Sequence, residues 1–275
     1  MAIHPRLPSP APPIAPPIAL TIAGSDSGGG AGIQADLKTF HAYGVYGTSA
    51  VTAITAQNTL GVHGIHPVPA SNVRSQIDAV VTDLRPDALK TGMLASAELV
   101  HEVADAIETH ELARYVMDPV MVATSGRRLL DPEAERGLVA RLLPLAALAT
   151  PNLLEAAVLV GEPIDDLGQM RRAARRLVEL GAGAALVKGG HLEGDAIDLL
   201  WDGEEERVWR RSRIDTVHTH GTGCTLSAAV AADLALGASV YDAVDRAIGF
   251  VARAIETAPG LGGGRGPLNH FASPG

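Results

Sequence analysis

The sequence contains a single cysteine, Cys224, among 275 residues. One cysteine cannot form an intrachain disulfide bond, which fits a reducing compartment, and we expect a cytoplasmic protein. The chain has no CxxC pair and no HExxH motif, so these sequence signatures of zinc sites are missing. Aromatic residues make up only 3%, but hydrophobic residues make up 47% and charged residues 19%, which is typical of a globular protein.

Basic runs and long apolar runs are also scarce. The formal net charge is −9, and the clustered basic residues form only short runs, such as Arg171–Arg176 and Arg210–Arg211. A nucleic-acid-binding surface requires a basic patch, so we expect no nucleic-acid partner. No apolar span of 18 residues or more is free of polar residues, so we expect no membrane-spanning helix.

Proline is concentrated at the start of the chain, with seven prolines in the first 17 residues. This density excludes a helix, and the segment lacks the continuous apolar stretch of a signal peptide. We therefore predict a flexible tail over residues 1–18. No later segment resembles a linker, so residues 19–275 are predicted to form one domain.

Strand patterns alternate with helical patterns over nearly all of this domain. The clearest helix has a single apolar stripe formed by Val240, Val244, Ile248, Val251 and Ile255. The alternation predicts an α/β fold whose mostly parallel sheet is covered by helices on both faces. Ligands bind such sheets beyond the carboxyl ends of the strands. The predicted binding rim consists of Gly24–Gly32, Lys90–Met93, Asp118–Val120, Lys188–His191 and His218–Ala229.

Two glycine-rich segments of this rim precede helices and are candidate phosphate sites. We call Gly24–Gly32 (GSDSGGGAG) the first glycine loop and His220–Cys224 (HGTGC) the second glycine loop. Backbone amides and the helix dipole at such a position favour an anion. The alternative for either loop alone is a tight turn without a ligand.

Several familiar phosphate and nucleophile motifs are missing. None of the three lysines follows a glycine, which excludes an ordinary P-loop. A dinucleotide site needs an acidic residue about 20 positions after its glycines, yet no Asp or Glu lies between Asp36 and Asp78. Ser27 lacks the preceding glycine of a GxSxG elbow. The remaining candidate is a kinase that binds phosphate at a helix N-terminus.

Such a kinase needs a cation and a metal site near the phosphates. Lys188 ends an apolar strand and is the candidate cation. Asn152 and Glu155 are one helical turn apart, so their oxygens could orient a hydrated Mg²⁺. From spacing alone, a capping box formed by the same two residues explains them equally well.

The motifs together resemble one family. HGTGCTLSAA, KGGH, TPNLLEA, GSDSGGGAGIQADLKTF, AQNT, KTGML and DPVMVATSG are similar in order and spacing to the hydroxymethylpyrimidine/phosphomethylpyrimidine kinases of the ribokinase-like superfamily. The resemblance extends from about Ala19 to Phe271. It implies a three-layer α/β/α ribokinase-like fold, usually dimeric, and use of ATP and Mg²⁺. It also implies two successive phosphorylations of 4-amino-5-hydroxymethyl-2-methylpyrimidine in thiamine biosynthesis, first to the monophosphate and then to the diphosphate.

The resemblance also implies roles for individual residues. Gln57 is expected to read the pyrimidine edge, because an amide offers a donor and an acceptor side by side. The remaining substrate contacts are expected from Asp36, Met93, Val120 and Gly24, although Met93 and Val120 would equally suit core packing. The expected phosphate and catalytic residues are Lys188, Asn152, Gly221, Thr222, Gly223 and Cys224. Glu155 and Asn152 are expected to hold Mg²⁺ through water, in preference to the capping box.

Cys224 occupies the position at which related sugar kinases carry an aspartate base. A cysteine at a helix N-terminus can have a lowered pKa, so we expect some thiolate, which would accept the hydroxyl proton in the first phosphorylation.

Two rival functions are a pyridoxal or pyridoxine kinase on the same fold and a non-catalytic sensor of nucleotides or pyrimidines. Gln57 favours the pyrimidine, and a sensor would have no need of Cys224.

Overall fold

The computed structural model describes residues 15–121, 130–190 and 194–275. Most of the predicted tail, residues 1–14, lies outside these ranges. So do residues 122–129, which include the end of the DPVMVATSG motif, and His191 of KGGH.

The described residues contain one nine-stranded sheet. The strands are β1 (Ile18–Asp26), β2 (Tyr46–Asn58), β3 (Gly61–Pro67), β4 (Ala88–Thr91), β5 (Tyr115–Met117), β6 (Leu148–Ala149), β7 (Ala185–Lys188), β8 (Ala196–Trp201) and β9 (Glu206–Arg211). Their order is β3-β2-β1-β4-β5-β6-β7-β8-β9. Strands β2, β1, β4, β5, β6 and β7 pair in parallel, whereas β3, β8 and β9 are joined by antiparallel pairings. The mostly parallel sheet predicted from the sequence is confirmed.

Eight α-helices accompany the sheet in the described ranges. They are α1 (Gly32–Ala42), α2 (Ala70–Leu84), α3 (Ala97–Thr109), α4 (Pro132–Gly137), α5 (Leu153–Val160), α6 (Leu167–Glu179), α7 (Thr222–Ala235) and α8 (Val240–Glu256). Along α8, Val244, Ile248 and Val251 are buried, as the apolar stripe predicts. None of the described helices is long and apolar enough to cross a membrane.

Two separate hydrophobic clusters cover the two faces of the sheet. Successive side chains of a strand point to opposite faces, so in β5 Tyr115 and Met117 join one cluster while Val116 joins the other. The first cluster includes residues of α2 to α6, and the second includes residues of α1, α7 and α8. The molecule therefore has the predicted three layers.

The strand order places the predicted rim at one edge of the sheet. Strand β1 pairs with β2 on one side and with β4 on the other. The order of the strands therefore reverses beside β1, and α/β proteins bind ligands at such a topological switch point. Asp26, Thr91, Met117 and Lys188 are at or next to the carboxyl ends of parallel strands. The loops that follow these strands thus meet at one end of the sheet.

Candidate active site

The first glycine loop encloses a carboxylate of its own chain. Asp26 Oδ1 accepts a hydrogen bond from the Gly28 amide at 2.8 Å, and its Oδ2 accepts from the amides of Gly30 at 3.0 Å and Ala31 at 2.9 Å. These donors are the ones that an anion would use in a glycine loop. A phosphate would have to compete with Asp26 for these three amides, so this loop is the weaker of the two candidate phosphate sites.

His220 of the second glycine loop contacts the same carboxylate. Its Nε2 lies 2.9 Å from Asp26 Oδ2 and 3.1 Å from the side-chain amide of Gln57. Burial opposes ionisation of Asp26, but the hydrogen bonds from His220 and the amides of Gly28 and Ala31 outweigh it and lower its pKa. The two glycine loops and Gln57 thus meet around one buried anion.

The second glycine loop reaches this position by a close backbone approach. Gly221 is the N-cap of α7 in the left-handed region, with φ of 84°. A Cβ placed there would lie 1.8 Å from the Gly30 carbonyl oxygen. Only glycine fits, for both conformational and steric reasons. The first amides of α7 have no intrahelical acceptor, so this helix end is the better candidate for a phosphate site.

Lys188 lies beside this helix end. A Cβ on Gly223 would be 3.3 Å from Lys188 Nζ, and the same Nζ is 3.3 Å from Asp118 Oδ1. Asp118 Oδ2 also accepts a hydrogen bond from Ser227 of α7 at 3.1 Å. Burial opposes the charge on Lys188, but Asp118 and Glu155 raise its pKa. A positive charge is therefore fixed at the start of α7.

Asn152 and Glu155 form the capping box that spacing allowed. Asn152 Oδ1 accepts from the Glu155 amide at 3.0 Å, and Glu155 Oε2 accepts from the Asn152 amide at 2.9 Å. Both side chains therefore stabilise the start of α5, and the metal role that the resemblance implies stays a prediction. Burial, together with the charge of Asp118, raises the pKa of Glu155 to about 7, against the opposing effect of Lys188.

Cys224 is half-buried one residue after Gly223. Burial raises the pKa of its thiol to about 12, and the carboxylates of Asp36 and Asp118 add to the rise, whereas Lys90 opposes it. The expected lowering of this pKa by the helix N-terminus is wrong. Near neutral pH the side chain is a thiol in this structure, because desolvation outweighs the helix dipole.

Asp36 is fully buried, which corrects its predicted contact with a bound ring. Both of its carboxylate oxygens lie 3.1 Å from Lys90 Nζ, and Oδ2 accepts from the Thr21 hydroxyl at 2.6 Å. Neither charged side chain has exposed surface. Burial would lower the pKa of Lys90, but Asp36, Cys224 and Asp118 raise it, so the pair supplies fixed charge close to Cys224.

The remaining predicted residues lie on the same edge. Met93 and Val120 are partly exposed, and a Cβ on the buried Gly24 would be 2.7 Å from the Met93 methyl group. The Thr222 hydroxyl donates to the Thr219 carbonyl at 2.7 Å, so it shapes the second glycine loop. The roles expected of these residues toward ligands stay predictions.

Comparison with known proteins identifies the family. The family model for phosphomethylpyrimidine kinase matches residues 26–269. The chain belongs to this kinase family. A hydroxymethylpyrimidine/phosphomethylpyrimidine kinase from Streptomyces coelicolor is 52% identical over 95% of this chain and 97% of its own length.

Solved structures agree with this membership. An ADP complex of pyridoxal kinase from Bacillus subtilis is 41% identical, has a TM-score of 0.88, and covers 94% of this chain and 98% of its own. A phosphomethylpyrimidine kinase from Clostridium difficile is 42% identical, has a TM-score of 0.79, and covers 87% of this chain and 99% of its own. The ribokinase-like α/β fold implied by the motifs is confirmed.

Two carboxylates of the site in this kinase-family chain were given no role of their own from the sequence, although both lie in segments of the predicted rim. Asp26 lies inside the first glycine loop, and Asp118 opens the DPV segment after β5. An acidic residue within a glycine loop is a signal, since it can occupy the amides that a phosphate would need. Asp118 offers no comparable local pattern, because its partners Lys188 and Ser227 are 70 and 109 residues away.

Gly221→Ala is predicted to lose both stability and kinase activity. The new methyl group would overlap the Gly30 carbonyl and the residue would be strained at positive φ, so we expect the free energy of unfolding to fall by more than about 2 kcal/mol. Gly237→Ala is the matched control, because Gly237 also has positive φ but no atom within 4 Å of its Cβ position. Urea unfolding measures both. Equal destabilisation of the two variants would contradict the close approach.

Glu155→Gln is predicted to change how stability depends on pH. The folded-state pKa is raised, so between the ordinary carboxyl range and about 7 the folded protein binds the proton more tightly than the unfolded chain. This group therefore stabilises the fold as pH falls through that window. Glutamine keeps the capping acceptor but removes the titration. Unfolding free energies at pH 5.5 and 7.5, with the exposed Glu162→Gln as control, should show a smaller gain on acidification only in Glu155→Gln.

Proposed function

We propose that this chain transfers the γ-phosphoryl group of ATP to 4-amino-5-hydroxymethyl-2-methylpyrimidine and then to its monophosphate, in thiamine biosynthesis or salvage. One observation carries the proposal. The start of α7, the fixed cation Lys188 and the half-buried Cys224 lie together at the rim. Family membership supports the proposal, because the matching family model and the relative from Streptomyces coelicolor are both named for this activity.

The phosphoryl group would be held by the start of α7. The amide of Thr222 already donates to the Thr219 carbonyl at 3.3 Å, so we assign the amides of Gly223 and Cys224 to the anionic oxygens. Lys188 neutralises charge that develops during transfer. Asp118 holds the lysine in place, since it accepts from both Lys188 and Ser227. In this assignment Gly221 and Gly223 keep the backbone open to the phosphate, and Thr222 stabilises the turn.

The residues near Lys188 also suit Mg²⁺ held mainly by phosphates and water. Within the described ranges, no three His, Cys, Asp or Glu side chains form a ready metal site. Asp118 and Glu155 are nonetheless carboxylates beside the cation, and Mg²⁺ in phosphoryl-transfer sites commonly keeps several waters and uses one or two carboxylates. When bound, the ion would neutralise phosphate charge. We assign Glu155, Asn152 and Asp118 to orienting its waters.

On the acceptor side, Gln57 offers an amide to the ring, with Met93, Val120 and Gly24 as its apolar surroundings. Cys224 is proposed to receive the proton of the hydroxymethyl group in the first step. The second step has less need of a base, because its acceptor phosphate is already ionised at neutral pH. The raised pKa of Cys224 means that proton acceptance requires prior loss of the thiol proton.

We also propose a homodimer, a cytoplasmic location and a division into a tail, residues 1–18, and one kinase domain, residues 19–275. The dimer is the usual state implied by the family motifs, and the single cysteine suits a reducing compartment. The sheet that runs from β1 to β9 supports one domain, although β1 already begins at Ile18.

Pyridoxine or pyridoxal phosphorylation is a second candidate activity. The likeness to the pyridoxal kinase from Bacillus subtilis has a TM-score of 0.88, against 0.79 for the phosphomethylpyrimidine kinase from Clostridium difficile. The two acceptors share a hydroxymethyl group on a six-membered nitrogen heterocycle. Gln57 favours the aminopyrimidine, because its amide can pair with an amino group and a ring nitrogen at once.

Coupled measurement of ADP release tests these alternatives. We expect ATP- and Mg²⁺-dependent turnover with the hydroxymethylpyrimidine and with its monophosphate, and a lower kcat/KM with pyridoxine. Turnover with pyridoxine alone would reject the pyrimidine in favour of the second candidate. Absence of ADP release with every acceptor would favour a binding protein.

Cys224→Ala is predicted to affect the two phosphorylations unequally. We expect kcat to fall about 100-fold with the hydroxymethylpyrimidine, the lower end of general-base effects, and less than about fivefold with the monophosphate. Because the thiolate is the accepting form, activity of the unaltered chain on the alcohol should rise between pH 7 and 9. Equal losses on both acceptors would contradict a base role for Cys224.

A further inference from the structure

His220 Nε2 faces a group that only accepts hydrogen bonds. An ionised carboxylate has no hydrogen to donate, and Asp26 Oδ2 lies 2.9 Å from this nitrogen. The lowered pKa of Asp26 supports the ionised form. The imidazole must therefore carry its hydrogen on Nε2. A doubly protonated ring would present the same hydrogen at this position.

That hydrogen restricts the neighbouring amide of Gln57. An NH₂ group directed at His220 from 3.1 Å would set two donors against each other. Rotating the amide by 180° places its oxygen toward the Nε2–H, which Asp26 and Gln57 then share. Amide orientation is decided by such hydrogen-bond partners, and His220 favours the oxygen.

The other end of Gln57 agrees with this orientation. Thr55 Oγ1 has one hydrogen, which it donates to the Ser25 carbonyl at 2.8 Å. The Gln57 oxygen stands 3.2 Å from Thr55 Oγ1, which has no second hydrogen to donate, so rotating the amide lets Thr55 accept from the NH₂ group. The NH₂ group satisfies Thr55, and the oxygen satisfies His220. Both neighbours thus select one of the two amide orientations.

The origin of this selection lies in the first glycine loop. Asp26 is buried and held by the amides of Gly28, Gly30 and Ala31, so its position beneath His220 is fixed. Gly30 also leaves room for the imidazole, because a Cβ there would lie 2.7 Å from His220 Cδ2. The Gln57 side chain itself remains partly exposed at the rim.

We propose that Asp26 is a positioning residue for substrate selection, which acts through the Nε2–H form of His220 to fix the orientation of the Gln57 amide. Asp26 thereby determines where the donor NH₂ group and the acceptor oxygen of the Gln57 amide stand relative to a bound heterocycle. The chemistry selected is a ring edge with an amino group beside an unprotonated nitrogen. The inference rests on the proposed function in taking Gln57 as the residue that contacts the ring.

Asp26→Asn is the first test. The neutral side chain has one oxygen for the four donors around Asp26, namely His220 and the amides of Gly28, Gly30 and Ala31. It therefore holds the imidazole hydrogen less strongly, so that this hydrogen can move to Nδ1 and free Gln57 to rotate. We expect KM for the hydroxymethylpyrimidine to rise about tenfold, the effect of one hydrogen bond, while KM for ATP changes less than about twofold. Asp87→Asn is the matched control, because Asp87 also accepts a backbone hydrogen bond, from Ile18, but at an exposed position outside the rim.

A pair of substitutions at His220 covers the case in which Asp26→Asn fails to fold. His220→Gln keeps a donor near the position of Nε2, whereas His220→Leu removes it, and both leave Asp26 with its loop amides. We expect His220→Gln to retain most of the preference for the pyrimidine over pyridoxine and His220→Leu to lose it. Equal preferences in the two variants would overturn the inference.

Two further measurements separate this inference from the proposed function. In a Gln57→Met background, Asp26→Asn should cause no further rise in KM for the pyrimidine, since the amide is already gone. A full additional tenfold rise would overturn the inference. Independently of any substrate, ¹⁵N NMR should find the His220 hydrogen on Nε2 in the unaltered chain and on Nδ1 in Asp26→Asn. If the unaltered chain lacked pyrimidine kinase activity, the proposed function would fail, and an Nδ1–H in that chain would separately overturn the inference.

Discussion

The carboxylate of Asp26 holds together parts of the chain that are almost 200 residues apart. Three amides of the first glycine loop and the imidazole of His220 converge on it. The close passage of Gly221 over Gly30 then fixes where α7 begins. Because amides of the first loop already donate to Asp26, the two glycine loops differ in what they leave open to a ligand. The first loop supports the site, and the second is the proposed phosphate site.

Paired charges are the second feature of the site. Lys90 pairs with Asp36, and Lys188 pairs with Asp118, both at low exposure. Buried ions are tolerated when they are paired and hydrogen-bonded. The third lysine, Lys38, donates to the Gly29 carbonyl of the first glycine loop at 2.7 Å. All three lysines of the chain thus contribute to this edge of the sheet, and two of them provide fixed positive charge.

Periodicity and motif order were sufficient to predict the layers, the mostly parallel sheet and the rim. They succeed because alternation and helical stripes report burial directly. These patterns were insufficient to predict the pKa values of the site residues. The helix position of Cys224 suggested a lowered pKa, but the surrounding protein removes water from the thiol and raises it. Likewise, spacing could not distinguish a metal pair from the capping box that Asn152 and Glu155 form.

The sequence by itself determined the family, the fold and the segments that meet at the site, since these follow from local patterns and ordered motifs. Only the tertiary structure decided which glycine loop has amides occupied by Asp26, which carboxylates are buried, and which groups surround the Gln57 amide. Those properties depend on partners distant in sequence, such as His220 for Asp26 and Lys188 for Asp118. Hydrogen bonds and desolvation act through space, so they are fixed only when the chain has folded.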